Sequence, residues 1–139
     1  MDIRIDAYIP ENYISNQAQR VDCYRKIARI QTEEDSYDIT DELIDRYGDP
    51  PRSVLGLIDV ARLRNMAQAV DITEITQNDD VIKFYISKFN MERIANVSDT
   101  VGNRMQLETM GRAHISVKLG KGDKPLDLMR TVITAMNSI

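Results

Sequence analysis

Apolar residues recur along this chain with two different periods, and the period changes near residue 71. In "IRIDAYIP", Ile3, Ile5, Ala7 and Ile9 alternate with Arg4, Asp6 and Tyr8. A period of two predicts an extended segment, closed by Pro10. The spacing then becomes helical. Val21, Tyr24, Ile27, Ala28 and Ile30 fall roughly on one face, with Ser15 or Asn16 as N-cap and Arg20, Arg25, Lys26 and Arg29 on the polar side. "TEEDSYD" reads as an acidic connector. A second helix is predicted from Ile39 to Tyr47, where Ile39, Leu43 and Tyr47 lie four apart with Ile44 beside them. Gly48 suits the position after the last turn, and Pro50 and Pro51 forbid continuation. Pro51 can open a third helix, whose Val54, Leu57, Ile58, Ala61, Leu63 and Ala67 make a broad apolar face at the centre of the core.

Beyond Asp71 the texture is that of strands. "ITEITQNDDVIKFYISK" predicts a hairpin turning at Asn78–Asp80, and "NRMQLETMGRAHISVKLG" predicts a second one around Gly111. "MERIANVSDTVG" between them reads as a short helix. The final helix is marked by Leu126, Met129, Val132, Ile133 and Met136. The fold class expected is α+β: about three helices after the extended segment, then β-β-α-β-β-α with a small, mainly antiparallel sheet. A chain of 139 residues fits one domain, 1–139, with a helical subregion to about 71 and a β-rich subregion from about 72.

Composition narrows the function. With 18 basic against 22 acidic residues the formal charge is −4, and no basic cluster stands out, so direct nucleic-acid binding is not expected. One cysteine, Cys23, and one histidine, His114, are too few for a zinc site, and a lone cysteine fits a reducing compartment. No apolar run approaches the roughly 20 residues of a membrane span, and the first residues lack the basic and apolar regions of a signal peptide. A cytoplasmic location is the expectation.

Catalytic patterns are missing. "LGKGDKP" (Leu119–Pro125) has neither the spacing nor the hydroxyl of a phosphate-binding loop, and reads as a strand-to-helix connection. "DELI" (Asp41–Ile44) has no apolar strand before it, unlike a helicase acidic box. Glu42 and Asp45, three apart on a helix, share a face, but on its polar side both are expected to be solvated and ionised rather than paired as acid and base. No cofactor or metal is expected, and the chain is not expected to be an enzyme.

Four segments occur in a distinctive order: "DAYIPENYI" (Asp6–Ile14), "QRVDCYRKIA" (Gln19–Ala28), "ELIDRYGDPP" (Glu42–Pro51) and "LIDVARLR" (Leu57–Arg64). Over residues 1 to about 72 the chain resembles the C-terminal domain of the bacterial transcription-repair coupling factors, the Mfd family. Tyr47 stands where phenylalanine is common, and Asp49-Pro50-Pro51 replaces a more apolar linker. The resemblance implies a regulatory domain of an ATP-driven DNA translocase that displaces stalled RNA polymerase and recruits UvrA. It implies that this domain packs on a UvrB-like module of the same protein, masking the UvrA-binding surface and restraining the motor. Carried over by motif, the contact residues are Glu42 and Asp45, with Arg46 beside them. Two other readings stand beside this one: a DNA- or RNA-polymerase-contacting domain of the same translocase, with Arg20, Arg25, Lys26, Arg29, Arg62 and Arg64 converging, and a small carboxylate enzyme.

Overall fold

The computed structural model describes residues 7–137. Ile3 and Ile5 of the predicted extended segment therefore lie outside the described residues. The rest of that segment, 7–10, joins no sheet, although its alternation survives: Ile9 is buried and Tyr8 exposed. Two compact units are present, one of residues up to Asn65 and one beginning at Met66.

The first unit is helical. Helix α1 (Gln17–Ala28) starts where Asn16 accepts a hydrogen bond from the Gln19 amide at 3.0 Å. Its buried line is Cys23 and Ile27, continued just past the helix end by Ile30. Val21 and Tyr24, expected on that face, are exposed. Cysteine behaves as a small hydrophobe, and counting it as apolar rotates the predicted face to the observed one. Helix α2 (Glu33–Tyr47) absorbs the stretch read as an acidic connector. Thr32 and Asp35 form a reciprocal capping box, and Glu33, Glu34 and Asp35 in the first turn suit the positive end of the helix dipole. Ser36 and Leu43 are buried, with Ile39 and Tyr47 packed beside them. Ile44, expected in the apolar stripe, points about 100° away from Leu43 and is 41% exposed. Helix α3 (Arg52–Ala69) contributes Val54, Ile58 and Ala61 to the core of this unit, and the Asn65 amide donates to the carbonyls of Ala61 and Ile30.

The second unit carries one four-stranded sheet, β1 (Ile72–Asn78), β2 (Val81–Ile86), β3 (Met105–Glu108) and β4 (His114–Lys118). Its order is β1-β2-β4-β3 and every neighbour is antiparallel. The β1–β2 turn places Asp79 at φ 54°, a left-handed position that aspartate tolerates better than most residues. The row Ile75–Phe84–Ile115 runs across one face and is completely buried, whereas the neighbouring row Thr76–Lys83–Ser116 belongs to the outer face. Helix α4 (Met91–Val101), capped by Asn90, packs beside α5 (Pro125–Met136). Ile94, Val97 and Val101 from the first, and Met129, Val132 and Ile133 from the second, are buried. The fold is α+β, with five α-helices and a small antiparallel sheet among the described residues.

Candidate functional site

Helix α2 is fixed at both ends and along one side. The Thr32 hydroxyl accepts from the Asp35 amide at 3.0 Å, and the Asp35 carboxylate accepts from the amides of Gln31 and Thr32 at 3.1 and 3.3 Å. At the far end Gly48 takes φ 87°, which lets its amide reach the Ile44 carbonyl at 3.1 Å and end the helix without a Cβ clash. The Tyr13 hydroxyl donates to the Gly48 carbonyl at 2.8 Å, and its ring lies 5.9 Å from that of Tyr47. Burial pushes the Tyr13 phenol above its usual pKa, with the negative fields of Cys23, Asp49 and Tyr47 adding to the effect. Leu43, 3% exposed, anchors the turn from beneath.

The three residues nominated from the sequence fare differently. Glu42 is not a free carboxylate: Lys26 of α1 approaches its Oε1 at 2.9 Å, and Arg46 lies 3.9 Å from the same oxygen. Lys26 also stands 3.5 Å from Asp22, so the four charges make a chain across α1 and α2. The hydrogen bond from Lys26 to Glu42 raises the lysine pKa, outweighing the opposing effect of desolvation. Arg46 is drawn to the same side, its guanidinium 5.2 Å from the centre of the Tyr47 ring. Asp45 is exposed and has no ion-pair partner among the described residues. Between α1 and α2 these charges rim a shallow depression floored by Cys23 and Leu43. Burial raises the Cys23 thiol pKa, which keeps the sulfur protonated and unreactive.

Sequence reasoning missed Lys26 as the partner of Glu42. The two are sixteen residues apart on separate helices, and no local spacing encodes such a pair. It also missed the exposed Ile44, which the spacing assigns to the apolar stripe, and the exposed Tyr37, which lies in the stretch read as a connector.

Elsewhere the polar groups serve local structure. His114 Nδ1 lies 2.9 Å from the Arg112 carbonyl, and its ring sits beside Tyr85. In the "LGKGDKP" loop, Asp123 accepts from the Gly120 amide and from Arg104, each at 2.7 Å, and those two donors, the amide first, lower its pKa. Among the described residues no three His, Cys, Asp or Glu side chains are grouped to hold a metal ion, and no helix is long and apolar enough to cross a membrane. What the α2 surface offers is a rigid, charged helix end, chemistry suited to recognition by charge-assisted hydrogen bonds.

A family model described as the TRCF domain matches residues 3–97, well over half of the chain. The chain belongs to the TRCF domain family. The match runs past the helical residues that carry the sequence motifs and takes in β1, β2 and most of α4. Among the relatives of this TRCF domain, the transcription-repair-coupling factor of Staphylococcus haemolyticus (strain JCSC1435) is 29% identical over 142 residues, covering 98% of this chain and 12% of the relative. That of Bacillus subtilis (strain 168) is 26% identical, covering 100% of this chain and 12% of the relative. The chain thus spans about one eighth of the relatives' length. A solved structure described as the crystal structure of the C-terminal domain of transcription-repair coupling factor superposes with a TM-score of 0.86. It shares 22% identity and covers 99% of this chain and 88% of that one, which is a likeness of fold.

Proposed function

We propose that this TRCF domain is a non-catalytic, autoinhibitory interaction module of a transcription-repair coupling factor in the bacterial cytoplasm. Within a longer protein it would dock on a UvrB-like module, cover the surface that recruits UvrA, and restrain the ATP-driven motor until RNA polymerase is engaged. The observation that carries the reading is the α2 terminus: a helix end locked by Gly48, Tyr13 and Leu43 that holds Asp45 exposed and unpaired. A carboxylate so placed can accept a partner's arginine without first breaking a bond of its own. Glu42 and Arg46 would join the contact by exchanging partners, which suits an interface that must open. Tethering inside one protein makes weak complementarity sufficient.

The test is Glu42→Ala with Asp45→Ala. The double variant should keep its thermal transition above ambient temperature, bind the UvrB-like module on the order of tenfold more weakly, and raise basal ATPase activity in the full-length protein. Module binding equal to wild type would overturn the assignment. Strong, steeply salt-dependent DNA affinity of this chain would instead favour a DNA-contacting role.

A further inference from the structure

Helix α1 is apolar on two sides. Cys23 and Ile27 face the core of the helical unit, while Val21 and Tyr24 stand outward at 43% and 40% exposure, with Ala28 exposed beside them. Together with Gln17, these three fall at i, i+4, i+7 and i+11. That alternation of fours and threes is the one by which one helix lies along another, and here it runs about 16 Å. Tyr8, 48% exposed, adjoins the line, since the amide of the next residue, Ile9, donates to the Tyr24 hydroxyl at 2.8 Å. Arg25 and Arg29 border it one turn apart, both exposed and, among the described residues, without an ion-pair partner. Asp22, the helix's acid, is engaged by Lys26 at 3.5 Å. Lys26, which reaches α2, lies about 140° round the helix from Val21, so this face is separate from the α2 terminus.

A helix serving one core carries one apolar stripe, and a second stripe marks a second packing partner. Tyrosine and arginine without lysine or carboxylate is also the composition enriched at the centres of interfaces. We infer that the outer face of α1 is an interhelical seam, covered by an amphipathic helix with aliphatic side chains at the same spacing and carboxylates beside them. The aliphatic groups cover Val21, Tyr24 and Ala28, and the carboxylates pair with Arg25 and Arg29. Apolar contact supplies the affinity and the charges set the register. The covering helix belongs to the rest of a longer protein, since this chain spans 12% of the relatives' length and tethering lets so short a seam form. A second copy of the chain fits poorly, because its own α1 brings further arginines and no free carboxylate. The seam presupposes the reading above, a domain within a longer protein, and adds to it a second contact on a different helix.

Thiol labelling tests the seam. Val21→Cys and Ala28→Cys each place a reactive thiol on it, the native Cys23 being buried, and Ile44→Cys reports the α2 surface. Each variant is labelled with a maleimide as the isolated chain and within the full-length protein. Circular dichroism confirms that the isolated variants fold, and either seam position serves if the other does not. At positions 21 and 28 labelling should be about tenfold or more slower in the full-length protein. Adding Arg25→Glu with Arg29→Glu should shrink that ratio about threefold or more. Equal rates at 21 and 28 in the two proteins would overturn the seam, and protection of position 44 alongside them would leave the docking role standing. Protection at 21 and 28 with position 44 open supports the seam and counts against the docking role. A ratio indifferent to the arginine reversal refutes an acidic occupant. Labelling of the isolated chain that slows with its concentration shows a second copy on the face and overturns the assignment to the longer protein.

Discussion

Lys26 illustrates how one side chain changes the meaning of another. Its ammonium group converts Glu42 from an open acceptor into half of an internal pair, and the pair joins α1 to α2. The proton linkage has a definite sign. The folded-state pKa of Lys26 is raised, chiefly by its hydrogen bond to Glu42, so this contribution is fully present below the ordinary lysine value of about 10.4. It is lost as pH rises through the folded value. The Tyr13 phenol is raised as well, by burial, and favours the folded state less as the unfolded chain begins to ionise near pH 10. The buried Cys23 thiol is raised too, so the urea midpoint is expected to hold steady from neutral pH to about 8.5, where the unfolded thiol begins to ionise, and to fall above it, most steeply beyond about 10. Lys26→Met should flatten that fall. A midpoint independent of pH over the alkaline range would show that neither tie contributes.

At the scale of elements, α2 matters most, and its start decides its rigidity. Thr32 closes the capping box with Asp35, satisfying amides that the first turn of a helix leaves without partners. Thr32→Ala should destabilise the protein by about 1 kcal/mol and speed amide exchange in the first two turns of α2. Unchanged exchange there would mean that the acidic first turn holds without its cap. This helix also shows why spacing alone misplaces a boundary. "TEEDSYD" lacks apolar residues at helical intervals, so periodicity is blind to it, yet its Thr-x-x-Asp pattern is a start signal. The reading of α1 failed by rotation rather than by extent. Cys23 sits on the true buried line, and the tyrosine at position 24 can bury part of its ring while keeping its tip in water. Its hydroxyl accepts a hydrogen bond from the Ile9 amide at 2.8 Å.

At the scale of the whole molecule, each unit has its own apolar centre, the helical one around Ile14, Val54 and Ile58 and the other around Phe84, Ile115 and Ile133. Among the described residues Phe84 is the largest completely buried side chain, and Phe84→Ala should cost about 3–5 kcal/mol in a denaturant titration. A loss below about 1 kcal/mol would mean that the surrounding side chains close the cavity. The net charge of −4 is spread over the chain, and among the described residues at least nine basic ones stand in internal ion pairs: Arg20, Lys26, Arg46, Arg62, Arg93, Arg104, Arg112, Lys118 and Arg130. Arg20, Lys26 and Arg62, three of those put forward for a converging basic surface, are thus paired with Glu11, Glu42 and Glu33.

The sequence by itself determined the elements and the family. Apolar periodicity, Gly48, the Pro50–Pro51 pair and the strand alternation after Asp71 are local signals, written within a few residues of the structure they specify. The motifs between Asp6 and Arg64 were specific for the same reason. Only the tertiary structure decided which carboxylates are free. Pairing Lys26 with Glu42 requires two helices to be packed at a given rotation, and exposing Ile44 requires knowing which α2 face Leu43 and Ser36 take into the core. Rotation about a helix axis is fixed by contacts distant in sequence. For that reason Ile39 to Tyr47 could be recognised in advance as a helix with a charged side, while the side chains that remain available to a partner emerged only from its packing.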